Sequence, residues 1–267
     1  MTREWINAGA SNDWYNPANW APPTGPGAWL PADIAQFKNS GTATSARINM
    51  SAGNLSLGAI TTLPERARNL TIGNSSTVAG TGLLQLNGAT VNGVDNVILS
   101  ASTNVTSSYT LIIKNKLSAA FSPMEIVLGN AVDNIVLVNG EEGGAINISA
   151  PITGAGKKLT MGNTGASGGV LTLSGANTYT GITTVQARHG QMVLAKPGGG
   201  TLPAGNDVYI LGGNLRIKTN QTLRNVKLGR GGSLLIDPGV KLTITETLEM
   251  GTIIDPLGGI KGTIVFA

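Results

Sequence analysis

The stretch GGVLTLSGANTYTGITTVQA, residues 168–187, has no charged side chain and a single aromatic, Tyr179. It is made of Gly, Thr, Ser, Asn and branched apolar residues, which suit short strands and tight corners. Leu171 and Leu173 alternate with Thr172 and Ser174, the period of a strand with one face turned inward. Gly175-Ala176-Asn177 reads as a turn, Tyr179 as cover for an edge, and Thr183-Thr184-Val185 as the next strand.

The same grammar runs through the chain. Short apolar runs such as Leu70–Ile72, Val97–Leu99, Leu111–Ile113, Met192–Leu194, Leu234–Ile236 and Ile253–Ile254 alternate with Gly, Asn, Ser and Asp. No helical stripe is longer than two turns. GVDNVIL (93–99) returns as AVDNIVL (131–137), and LTIGN (70–74) returns as IVLGN (126–130) and LTMGN (159–163). A sandwich has no reason to reuse a strand-turn phrase, whereas stacked coils do. We therefore expect an all-β fold, a parallel β-solenoid whose corner Asn amides ladder up the stack. Coils of ~20–25 residues would give about ten between Arg47 and Ala267, each rising ~4.8 Å.

Leu171, Leu173, Ser174, Gly175, Asn177, Thr178, Tyr179, Thr180, Gly181 and Thr183 fit the pattern L-x-L-S-G-x-N-T-Y-T-G-x-T. Over Gly169–Val185 the chain thus resembles the passenger-associated repeat of bacterial autotransporters. That resemblance implies a right-handed parallel β-helix and a habit of working outside the cell, and the location we expect is extracellular, on a cell surface or a virion. It implies no reaction. The pattern departs after Val185, where Ala187-Arg188-His189-Gly190-Gln191 replaces the usual small-residue-Gly-Thr-Leu ending, and no translocating barrel is expected within these 267 residues.

Residues 1–40 differ from the rest. All four tryptophans, Trp5, Trp14, Trp20 and Trp29, fall there among Pro17, Pro22, Pro23, Pro26 and Pro31. DWYNPANW (13–20) resembles the segment that opens passenger-like repeat proteins. We expect residues 1–40 to cap the first coil's open edge or to dock on a partner through Trp anchors. Residues 41–267 would form one solenoid domain.

Composition removes several functions. The absence of Cys excludes disulfides and thiol chemistry, and no run of ~18 apolar residues offers a membrane span. The opening MTREWIN has no apolar h-region, so no secretory signal is expected there. His189 is the sole histidine and reads as part of a surface loop, so neither a His metal site nor a His-based triad is expected. Nor is a cofactor: KPGGGT (196–201) lacks the Lys-Ser/Thr that a phosphate loop needs. Arg216-Ile217-Lys218 resembles the substrate-binding motif of polygalacturonases. That family's Asp trio and Gly-His-Gly segment are missing, and Asp95, Asp133, Asp207, Asp237 and Asp255 stand apart. Glycoside hydrolysis needs paired carboxylates, so no catalytic residue is assigned.

Charge is more informative. Charged residues are 12% of the chain, about half the usual share, yet Arg188, Lys196, Arg216, Lys218, Arg224, Lys227 and Arg230 follow one another with Asp207 as the lone intervening acid. The run reads either as a solvated basic face or as a docking patch for an acidic surface. That surface could be another subunit, an acidic glycan or lipopolysaccharide. Few aromatics interleave it, so sequence-specific nucleic-acid binding is not expected. Three functions remain. The first is a non-enzymatic structural subunit, a homo-oligomer or a component of a phage particle (decoration, fibre or spike) or surface filament. The second is an adhesin-type passenger module, and the third a polysaccharide lyase or hydrolase. We expect the first.

Overall fold

A computed structural model describes residues 1–6, 13–23, 29–38, 45–48, 54–63, 69–102, 109–139, 144–164, 168–229, 231–251 and 263–266. Nearly all regular structure among them is strand, most of it in a mostly parallel 19-stranded sheet, with four strands in a second sheet. One short 3-10 turn, Pro17–Asn19, is the helical exception among the described residues.

The pairing repeats in register. On one face a column of aligned residues runs Arg3, Ala35, Ile60, Leu99, Val136, Met161, Val185, Ile210, Leu228, Met250. On a second face Ile72, Ile113, Ile148, Leu173, Leu194, Ile217 and Ile236 align in the same way. The four-stranded sheet forms a third column, Leu55, Leu84, Ile126 and Ile152. Between Leu84 and Leu223 the aliphatic members of these columns are fully or almost fully buried. Burying each such side chain favours folding by ~1.5–3 kcal/mol, so the stacked columns are the core.

Two expectations about spacing change. Parallel pairing begins at Thr2, well before Arg47. Successive partners are as close as Ile210 and Leu228 or as far apart as Leu84 and Ile126, because insertions sit at corners and leave the strands aligned. The repeated phrases also part company. GVDNVIL lies beside AVDNIVL, with Val97 opposite Ile135 and Leu99 opposite Val136 across a register shift. The three copies of LTIGN do not stack on one another. Leu70–Asn74 is on the second face, Met124–Leu128 in the four-stranded sheet, and Leu159–Gly162 on the first face. The phrase encodes an apolar strand end followed by a Gly-Asn corner, which every face needs.

Past Ile152 the third column continues partly through side-chain amides. Asn177 accepts a hydrogen bond from the Ile152 N–H on its Oδ1 at 2.9 Å and donates from Nδ2 to the Thr201 carbonyl at 3.0 Å, tying three passes together. Gln221 brackets the Leu202 backbone, accepting from its N–H at 3.2 Å and donating to its carbonyl at 2.9 Å. The corner amides thus bond mainly to backbone, with Asn130 to Asn96 an amide-amide contact at 2.8 Å. Leu171 and Leu173 face inward, as their alternation requires. Tyr179 does not cover an edge. It is fully buried, with its hydroxyl 2.7 Å from Thr183 Oγ1, which donates to Asn206 Oδ1 at 2.7 Å. A buried phenol needs such a partner, and burial pushes its pKa up.

Candidate functional site

The four tryptophans point into the protein. Trp14 and Trp20 are fully buried, Trp5 nearly so, and Trp29 is 8% exposed. Trp20 packs 4.9 Å from Trp5, 4.8 Å from Trp14, 4.7 Å from Trp29 and 5.6 Å from Phe37, centroid to centroid. Its indole N–H donates to the Trp14 carbonyl at 2.7 Å. Local sequence sets this arrangement. Asn16 Oδ1 accepts from the Ala18 N–H at 3.1 Å and Pro17 opens the helical turn, which returns the chain as Trp20–Ala21, antiparallel on the outer edge of Thr2–Trp5. Burial, reinforced by Asp13, pushes Tyr15 up to about 12. Arg3 lies 5.3 Å above Trp29 and donates to Asp33 at 2.9 Å. These rings close the end of the core from within.

The other end is built differently. Leu242–Met250 pairs on one side, with Gln221–Leu228, and no strand among the described residues lies on its other side. Leu248 and Met250 stand opposite Val226 and Leu228, which are each 1% exposed, yet they are themselves 43% and 49% exposed. Two side chains in core columns are therefore open to solvent.

The basic run is less free than its sequence suggests. Arg216 holds Asp237 with two hydrogen bonds of 2.7 and 3.2 Å, and Arg224 holds Asp207 with two of 2.8 and 2.6 Å. Lys227 meets Glu249, its register partner, at 3.0 Å. The Arg224 hydrogen bonds keep Asp207 below the usual carboxylate range, and those of Arg216 do the same for Asp237. Lys196 donates to the Gly199 carbonyl at 2.8 Å. Arg188 and Lys218 are exposed and form no ion pair among the described residues. Arg230 lies outside the described residues. Reading charge along the chain missed these pairs because the acids come from the adjacent pass of backbone.

Arg188 and His189 are not in a loop between strands; both lie within Thr183–Leu194. There the register breaks. Gln186 pairs with Gly212 and Gln191 with Asn214, so the residues from Ala187 to Gly190 bulge out against Gly213 alone. A cleft of about 610 Å³ opens at this bulge, lined by Gln186, Arg188, His189, Asn214 and the backbone of Gly212 and Gly213. The sequence signal for it was the point where the repeat pattern departs. Smaller clefts beside Thr61 and Gln221, of about 250 and 360 Å³, are lined by neither arginine nor histidine. Among the described residues no three His, Asp or Glu side chains converge as a metal site would require, and no helix is long and apolar enough to cross a membrane.

Comparison with protein families, curated proteins and solved structures found no match to this chain.

Proposed function

We propose that the chain is a non-enzymatic right-handed parallel β-helix that serves as a subunit of a larger extracellular assembly, a virion component or a surface filament. Residues 1–40 would be its folding cap. Three aligned columns of parallel strands support the β-helix, and parallel crossovers are right-handed in about 98% of cases. The observation that carries the assembly reading is Leu242–Met250, whose core-column residues Leu248 and Met250 are exposed at an edge that no strand among the described residues pairs. An exposed edge with apolar side chains is a template for another chain. Trp20–Ala21 pairs with Glu4 and Trp5 on the outer edge of the first strand, which disfavours stacking of Leu242–Met250 from one copy on Thr2–Trp5 of another. The partner that fits is a second copy, Leu242–Met250 against Leu242–Met250, related by a two-fold axis.

Sedimentation of the whole chain over a concentration series tests this. The reading predicts a dimer that Met250→Glu converts to a monomer while the β circular-dichroism signal is kept. A monomer at all concentrations would contradict it.

The adhesin reading is favoured by one observation, the exposed Arg188 and Lys218, which form no ion pair among the described residues. The hydrolase reading has less support, because the Arg216 guanidinium is engaged by Asp237 and is not free for substrate.

A further inference from the structure

The bulge between Gln186 and Gln191 is a constructed feature. His189 holds a left-handed backbone, φ +58°, which is unfavourable for a residue with a Cβ. The chain around it is clamped. Asn163 donates from Nδ2 to the Arg188 carbonyl at 2.9 Å and accepts from the Arg188 N–H at 3.1 Å, so one amide fixes both backbone groups. A Cβ on Gly168 would lie 2.4 Å from Gly190 N and 2.7 Å from the Arg188 carbonyl oxygen, so only glycine lets the bulge sit there. Strain held in place by several contacts is characteristic of binding sites.

The side chains presented are Gln186, Arg188 and His189, all exposed, with half-buried Asn214 and Leu211 beside them. Arg188 brings a planar fork that matches a carboxylate with two parallel hydrogen bonds. Gln186 and Asn214 each offer donors and an acceptor, as sugar hydroxyls require. Gly212 and Gly213 make a floor without side chains, and Leu211 adds a small apolar contact for a ring face. Among the described residues no acid lines the cleft.

We propose that this cleft binds an acidic saccharide, with the Arg188 guanidinium on the sugar carboxylate and Gln186, His189 and Asn214 on neighbouring hydroxyls. A phosphodiester polymer fits less well, since it calls for several cations in series and stacking aromatics. An acidic peptide in extended form needs a free strand edge. Here Thr183–Leu194 and Asp207–Ile217 are both paired on two sides. The inference goes beyond the assembly reading and does not depend on it.

The test is calorimetric titration of the whole chain with digalacturonate, diglucuronate and N-acetylneuraminate, beside neutral digalactose, inorganic phosphate and a Glu-rich peptide. The expected result is saturable binding of at least one acidic saccharide, about tenfold or more tighter than digalactose. Arg188→Ala should weaken it by about tenfold or more and Arg188→Lys by less, because the charge stays while the fork is lost. Lys218→Ala should leave it unchanged. Arg188 is exposed, so a matching melting temperature will show that its variants fold. The proposal is overturned if none of the three acidic saccharides binds, if Arg188→Ala binds as well as the wild type, or if phosphate or the peptide binds as tightly.

Discussion

Thr2–Trp5 and Leu242–Met250 belong to the same large sheet, but the first is covered on both sides and the second, among the described residues, is not. Thr2–Trp5 has a neighbour on each side, and its core side is filled by four indoles and Phe37. Leu242–Met250 has a neighbour on one side, and its Leu248 and Met250 meet solvent. The same strand pattern is thus core when a further pass covers it and surface when none does. An open parallel edge is the feature that proteins usually blunt, and among the described residues only the first end is blunted by strand and aromatic packing.

The comparison breaks most visibly at the capped end. Trp20→Ala removes the indole that touches three other indoles, and should destabilise by roughly 3–5 kcal/mol, measured by urea denaturation. An effect under ~1 kcal/mol would mean that the cap is not part of the cooperative fold. Next comes a paired test along one column. Leu228→Ala should cost ~2–5 kcal/mol. Met250→Ala, opposite it in register, should cost under ~1 kcal/mol at concentrations where the chain is monomeric. Equal losses would show that Leu242–Met250 is covered on its outer side.

Smaller effects sharpen the picture between the two ends. Asn177→Ala leaves the Ile152 N–H and the Thr201 carbonyl without their amide partner, at a cost of ~1–3 kcal/mol. The smallest effect expected is that of the ion pairs near the open end. Asp207 and Asp237 titrate below their ordinary 3.8 because Arg224 and Arg216 hydrogen-bond their charged forms. Their stabilisation is therefore complete above that ordinary value and is lost as pH falls from there through the lowered one. Melting temperatures of Arg216→Gln and wild type should differ slightly at pH 7 and converge at pH 2. The difference should also shrink in high salt, because the pairs are partly exposed.

Alternation of apolar and small polar residues made the strands legible, and the repeat at Gly169–Val185 placed Leu171 and Leu173 correctly inside. The order of faces was not legible, because LTIGN serves three different faces and a local phrase does not say which one it is on. Nor was the fate of the basic run. Arg216 finds Asp237 and Arg224 finds Asp207 across neighbouring passes, a proximity that linear charge counting cannot see. The tryptophans read equally as cap or as docking anchors, since indoles fill cores and interfaces alike. The cleft at His189 was signalled only by the place where the repeat fails.

The central claim is that the outer edge of Leu242–Met250 is left open for a second copy, and amide hydrogen exchange at low and high protein concentration tests it most directly. The account predicts that Leu242–Met250 exchanges quickly in dilute solution and becomes protected as concentration rises, while Thr2–Trp5 is protected in both. Protection of Leu242–Met250 that is equally strong at every concentration would contradict it, because the chain would then close that end by itself.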